Sequence, residues 1–436
     1  MKNINNMTAL WKPFTPNRAF NKSPRIFTKS DGMYYTTDKE AEVLDAVSGL
    51  WCCNLGNKYK SVVDAVKNQA ETMYYSPAFQ VGHPLEYELA NELVSIAPKD
   101  LNHVFFANSG SEAVESALKM ALAYQKAIGQ GTRHLIIGRE SAYHGVNFGG
   151  ISVGGLVNNK RQYNNLIKTF HMPSILDIEN NAFSKGMPKE GAIKAEALLA
   201  LINTHGAENI AAVIVEPVAG SAGVHIPPVG YLNRISEICK ENGILLIFDE
   251  VITAFGRLGT PFAADKFGVT PDMITTAKGL TNGASPMGAV ITNDKVYDGI
   301  INNSKTPIEF FHGYTYSGHP ISCAAGIATI KAYKEEKFFD KVADMEEFWQ
   351  EELHTLKDCP NVIDIRNLGL VGAVHLSANG SNVGQRGNDI YLDCFENNLL
   401  VRATGDIIAL SPAYIVNKDE IRQIVATLRE AINKAA

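Results

Sequence analysis

Short apolar runs recur through the middle of this 436-residue chain, each followed by a longer amphipathic stretch. The runs are Val104–Ala107, Leu135–Ile137, Ala211–Val215, Leu245–Phe248, Met273–Thr276 and Ala289–Ile291. They lack the alternation of a half-exposed strand, so both faces of each strand are expected to be covered. Between them, Ser111–Ala127 reads as a helix with Val114, Ala117, Leu118 and Ala121 on one face. Tyr231–Asn242 reads as another, ended by Gly243. Apolar strands alternating with helices predict an α/β fold whose mostly parallel sheet is sandwiched by helices. Crossovers in such a sheet are right-handed, so ligands gather at the carboxyl ends of the strands.

After about residue 325 the pattern changes. Helices are expected over Ala324–Glu336 and Asp340–Leu356, then short strands near Val362–Ile365 and Val371–Val374. This predicts a smaller α+β domain over residues 325–436, beside a large domain over residues 61–324. Residues 1–60, with Met33–Tyr35 and Val43–Asp45, are expected to join the small domain.

Composition excludes several classes. The net charge of −6 carries no basic excess, so nucleic acid and anionic membrane surfaces are not expected partners. No apolar run approaches the roughly 20 residues that span a bilayer. Met1–Thr8 lacks the apolar core of a signal peptide. The six cysteines show no Cys-x-x-Cys spacing, and reduced thiols in a cytoplasmic protein are expected, with no metal site.

The chemistry-bearing residues follow the strands. Ile244–Phe248 ends abruptly in Asp249 and Glu250, and Met273–Thr276 leads to Lys278 in a Thr-Thr-Ala-Lys-Gly context. A carboxylate at one strand end and a lysine at another suit pyridoxal 5'-phosphate: the lysine can form an imine with the aldehyde, and the acid can keep the pyridine nitrogen protonated. A lone lysine is most often a surface group, so only the whole constellation supports this reading. Glu216 also terminates an apolar run, where a solvated strand end competes with a functional role. Asn108-Ser-Gly-Ser111 opens a helix. Gly110 is expected to allow an unusual turn, with free amides for a phosphate; a capping box from Ser109 to Glu112 is the plainer alternative. Tyr143-His144-Gly145 offers a ring to stack on a cofactor. Arg402 suits bidentate binding of a substrate carboxylate, against the commoner fate of a surface ion pair. Gly313–Pro320 reads as a tight loop.

Together these segments resemble the class III (ω-) aminotransferases, which are fold-type I pyridoxal phosphate enzymes. The resemblance runs through Ser48–Trp51, Tyr75–Pro84, Asn108–Ser111, Tyr143–Gly145, Val215–Pro217, Phe248–Arg257, Ala277–Gly279 and His312–Ser317. Ile214–Leu232 and Ile244–Gly259 look most like β-alanine–pyruvate aminotransferases. The resemblance implies Lys278 as Schiff-base lysine and proton shuttle, and Asp249 as partner of the pyridine nitrogen. It implies Tyr143 on one face of the cofactor ring and Val251 on the other, with His144 among the cofactor-binding residues. Ser109, Gly110 and Ser111 would hold the phosphate, with Thr315 from a partner subunit. Glu216 would sit near the substrate and hold Arg402 when the arginine is idle. Trp51 and Phe79 would wall the substrate pocket, Phe79 across a dimer. Pro412-Ala413 departs from the paired prolines of many relatives.

The implied activity is transfer of an amino group from a β-alanine-like ω-amino acid or an amine to pyruvate, by a homodimer or a tetramer of paired dimers. An aminomutase or decarboxylase on the same scaffold, a taurine–pyruvate aminotransferase and a non-catalytic binding protein are the alternatives.

Overall fold

The computed structural model describes residues 7–163 and 165–436, so Met1–Asn6 of the N-terminal stretch lie outside it. Its centre is a seven-stranded sheet in the order Leu101–Ala107, Gly288–Asn293, Met273–Thr276, Leu245–Asp249, Ile210–Val215, Leu135–Arg139, Thr169–Met172. The six expected strands are all present, and Thr169–Met172 extends the edge. Gly288–Asn293 runs antiparallel to both neighbours, whereas the other pairings are parallel. The reversal follows from the short Ala277–Met287 connection, which has no crossover helix to carry the chain back across the sheet.

Alternate residues of each central strand enter opposite cores. Ala212 and Ile214 pack with Val114, Ala117, Leu118 and Ala121 of the Gly110–Ala127 helix. Val213 and Val215 pack on the other side with Tyr231, Ile235 and Ile238 of the Tyr231–Glu241 helix. That helix ends as expected: Gly243 adopts φ +65°, and the Ile244 N–H reaches back to the Cys239 carbonyl at 2.9 Å.

Two four-stranded sheets flank this layer. In one, Phe27–Asp31, Tyr34–Thr37 and Glu42–Asp45 pair in turn, and Leu399–Leu400 adds parallel to Glu42–Asp45. In the other, Val362–Leu368, Val371–Leu376, Ile407–Leu410 and Arg402–Thr404 are antiparallel. The helix expected from Ala324 begins at Pro320, whose fixed φ and missing N–H suit a first helical position. Among the described residues no helix is long and apolar enough to cross a membrane, all six cysteines are free, and no cluster of metal-binding side chains occurs.

Candidate active site

The carboxyl ends of the central strands converge on a cavity of about 140 Å³. Ser109–Ser111 follow the Leu101–Ala107 strand, Tyr143–Gly145 follow Leu135–Arg139, and Glu216 follows Ile210–Val215. Asp249 ends its own strand, and Lys278 stands two residues beyond Met273–Thr276. Val251 and Ile252 complete the wall.

The two adjacent carboxylates part company. Glu250 is fully buried and turned away, where it accepts the Ala263 and Ala264 N–H groups at 2.5 and 2.9 Å and the Thr253 hydroxyl at 3.1 Å. It caps the Ala263–Phe267 helix. Asp249 faces the cavity and is 5 % exposed. His144 Nδ1 lies 2.7 Å from its Oδ2, while Oδ1 accepts the Thr275 hydroxyl and the Val251 N–H, each at 3.2 Å.

Lys278 has left-handed backbone, φ +47°, at the start of a 3-10 turn. Among the described residues its Nζ makes no hydrogen bond or ion pair, and it lies 5.9 Å from the centre of the Trp51 ring. Burial pushes its ammonium down, which favours the neutral, nucleophilic amine. Burial also lifts Glu216 to about 7; its Oε1 accepts the Tyr143 N–H at 2.9 Å. Burial raises the Tyr143 phenol, with Asp249 adding to the effect.

Gly110 departs from expectation. Its φ is not left-handed; glycine is required there for space, since a Cβ would meet Val251 Cγ2 at 2.9 Å. Ser109 caps the helix, its Oγ accepting the Glu112 N–H at 3.2 Å, while the Glu112 carboxylate takes the Asn108 N–H at 2.7 Å. The cap leaves the Gly110 and Ser111 amides without a partner among the described residues, so an anion could still be received there.

Other expected site residues sit farther out. Trp51 is 3 % exposed and backs onto Gly220. Arg402 is half-buried in the Arg402–Thr404 strand and takes no ion pair among the described residues. Its expected contact with Glu216 is therefore not made in this conformation, since Glu216 is engaged by Tyr143. Phe79 is exposed and packs on Gly313, and Thr315 is exposed on the same surface, where its carbonyl accepts the Tyr75 hydroxyl at 3.2 Å. Neither lines the cavity within one chain.

Sequence reasoning missed Thr275, Ile252 and Arg257. Arg257 is fully buried and holds the Leu370 and Pro412 carbonyls, Ser48 Oγ and Asn54 Oδ1, tying the Trp51 segment to the large sheet. Pro412, next to the Ala413 that breaks the expected proline pair, is itself an anchor: its carbonyl accepts from Arg257 Nη1 at 2.6 Å. An arginine set between Gly256 and Gly259 at the end of the acidic segment was the available signal.

These donors fit pyridoxal phosphate. Unpartnered helix amides face one end of the cavity, a side-chain-free approach at Gly110 keeps it open, and an amine and a fixed carboxylate share its walls.

Comparison with known proteins agrees. Residues 16–432 match the family described as aminotransferase class III. The chain is 50 % identical to an omega-aminotransferase of Caulobacter vibrioides, over 99 % of this chain and 98 % of that one. It is 44 % identical to a beta-alanine–pyruvate aminotransferase of Pseudomonas aeruginosa, over 99 % and 97 %. Its fold matches an amine transaminase structure from an uncultivated Pseudomonas species in a PLP-bound form, with TM-score 0.93, 32 % identity and coverage of 99 % and 100 %. With the family match spanning nearly the whole chain and the site built at its strand ends, the protein belongs to the class III aminotransferases.

Proposed function

We propose that this aminotransferase moves an amino group from a β-alanine-like ω-amino acid, or from an amine, to pyruvate in a ping-pong cycle. The observation that carries the reading is the placement of the Lys278 amine, which has no hydrogen bond or ion pair among the described residues, and the Asp249 carboxylate in one cavity, with Arg402 nearby and also without an ion pair among the described residues. The 44 % identity to a beta-alanine–pyruvate aminotransferase supports the substrate pair.

Bound pyridoxal phosphate supplies an electron sink for the carbon that carries the amine. The chain's own residues do the rest. Asp249, held by His144 and Thr275, would face the pyridine nitrogen and favour its protonated form. The Gly110 and Ser111 amides and the Ser109 and Ser111 hydroxyls would hold the phosphate. Tyr143 and Val251, both in the cavity wall, would hold the two faces of the ring. Lys278, its ammonium pushed down by burial, would take up and give back the proton at the donor carbon. Arg402 binds the carboxylate of pyruvate or β-alanine, and Trp51 and Phe79 wall the pocket. None of the described residues that line the cavity is an arginine, and with Arg402 taking one carboxylate this favours pyruvate over 2-oxoglutarate.

The assembly is read as a homodimer in the cytoplasm. Phe79, which packs on Gly313, and Phe311 and Tyr316 of the same loop are exposed near Thr315 in sequence, consistent with a partner that completes the site. Residues 61–324 are read as the large domain, with 325–436 and 1–60 forming the small one; the pairing of Leu399–Leu400 with Glu42–Asp45 supports this. An active monomer in sedimentation would overturn the shared site.

The test is a donor panel of β-alanine, taurine, 4-aminobutyrate and 1-phenylethylamine with pyruvate or 2-oxoglutarate as acceptor. Turnover of β-alanine with pyruvate is expected to lead. Product formation without a keto acid would instead favour an aminomutase or decarboxylase.

A further inference from the structure

Trp51 is reached through a bend that ordinary backbone preferences oppose. Ser48, Gly49 and Trp51 all lie in the left-handed region, with φ of +48°, +71° and +64°. For a bulky aromatic residue this conformation is strained and persists only where surrounding contacts impose it. Those contacts matter because the ring faces Lys278 Nζ at 5.9 Å, and Gly220 supports its back so closely that a Cβ there would come within 2.2 Å of Trp51 Cζ3.

Asp45 imposes the bend. It is 2 % exposed; its Oδ1 accepts the Val47 N–H at 2.9 Å and its Oδ2 accepts the Gly49 N–H at 2.6 Å. The bend is also stitched to the two ends of the hairpin that bears Arg402. The Ala46 N–H reaches the Leu400 carbonyl at 3.0 Å, the Ser411 N–H reaches the Ala46 carbonyl at 2.7 Å, and Ser48 Oγ donates to the Ser411 carbonyl at 2.7 Å. The aromatic wall and the carboxylate-binding arginine therefore share one base.

We propose that Asp45 is a positioning residue whose ionised carboxylate holds the Val47–Gly49 bend, seats Trp51 against the cavity, and so sets the preference between hydrophobic amines and carboxylate-bearing donors. The donor preference rests on the functional reading above; the clamp itself does not.

The clamp is sensitive to protons. Burial lifts the Asp45 carboxyl to about 6, two backbone bonds and then Arg257 opposing the rise; Tyr35, Cys52 and Cys53 also face it. Above that value Oδ1 and Oδ2 are both acceptors. As pH falls through it, a proton occupies one oxygen, a backbone N–H loses its partner, and the bend loosens. Burial also lifts Glu216 in the cavity wall to about 7, so the control must remove Trp51 as well as Asp45.

The experiment uses the holoenzyme. Trp51 emission, taken as wild type minus Trp51→Phe, is expected to shift with a midpoint near pH 6 and to lose that step in Asp45→Asn. Between about pH 5 and 8 the kcat/KM ratio of 1-phenylethylamine to β-alanine is expected to fall on the acid side. In Asp45→Asn the ratio is expected to be about tenfold lower throughout, mostly through KM, with β-alanine turnover within about threefold of wild type. In Trp51→Ala, Asp45→Asn should change the ratio no further. No fluorescence step, or a step that survives Asp45→Asn, overturns the clamp, as does a fall in the ratio near pH 6 that survives Trp51→Ala. Equal losses for both donors mean Asp45 is only structural and overturn its role in selectivity. If Asp45→Asn fails to fold, the wild-type emission step and its disappearance from the ratio in Trp51→Ala decide the matter. Inactivity of wild type on both donors would overturn the functional reading, while the emission titration would still judge the clamp.

Discussion

His144 Nδ1 stands 2.7 Å from Asp249 Oδ2, with both side chains shut away from solvent. With Thr275 and the Val251 amide on the other oxygen, Asp249 cannot rotate without breaking three bonds. A carboxylate fixed in this way keeps its charge aimed at one point in the cavity. Asp249→Ala is expected to lower kcat by at least about a thousandfold, within the range for removal of a proton-positioning group, and His144→Ala by about tenfold. Single-turnover rates of the amine half-reaction measure both. A larger loss in the histidine variant would reverse the assignment.

Gly110 should matter through space, not backbone freedom. A Cβ there meets Val251 Cγ2 at 2.9 Å and Cγ1 at 3.0 Å. Gly110→Ala is expected to weaken pyridoxal phosphate binding by about ten- to a hundredfold, the scale of a 1–3 kcal/mol overpacking cost. Val251→Ala in the same chain should restore part of it. Cofactor titration of both proteins tests this, and no rescue would mean the clash is not the cause.

Arg402 is half-buried and free of ion pairs among the described residues, and burial pushes its guanidinium down. Loss of a charged bidentate contact costs on the order of 2–5 kcal/mol. Arg402→Ala is therefore expected to cut kcat/KM for pyruvate by at least about a hundredfold, and to affect the 1-phenylethylamine half-reaction far less. Equal losses in the two half-reactions would show a structural role. A wild-type preference for 2-oxoglutarate would reveal a second anion site.

Glu250 makes stability depend on pH. Burial lifts its carboxyl from 4.5 to about 7, so the folded state holds the proton more tightly than the unfolded chain. The group's contribution is greatest at low pH and is lost as pH rises through about 7. Relative to Glu250→Gln, the wild type should lose on the order of 1–3 kcal/mol between about pH 5 and pH 8. Urea midpoints of the two proteins across that window check it, and parallel curves would contradict it.

The central strands were legible because burial on both faces leaves an unbroken apolar run, as in Ile210–Val215. Thr169–Met172 was not, since an edge strand with mixed exposure carries Thr and His among its four residues. Asp249, Lys278, Glu216 and Tyr143 could be found because each follows an apolar strand, and strand ends meet in one place. Thr275 could not: it reaches Asp249 through the register that sets the two residues side by side on neighbouring strands, which spacing along the chain does not encode. The turn expected at Gly110 failed for a related reason, because the constraint comes from Val251, 141 positions away in the chain.

The central claim is that Lys278 carries the cofactor. Its amine is depressed by burial and unpaired among the described residues, and it shares the cavity with Asp249. Borohydride reduction of the pyridoxal phosphate-loaded protein, followed by peptide mapping, tests this directly. The label should fall on Lys278, and Lys278→Ala should neither take the label nor turn over. A label on any other lysine would contradict the account.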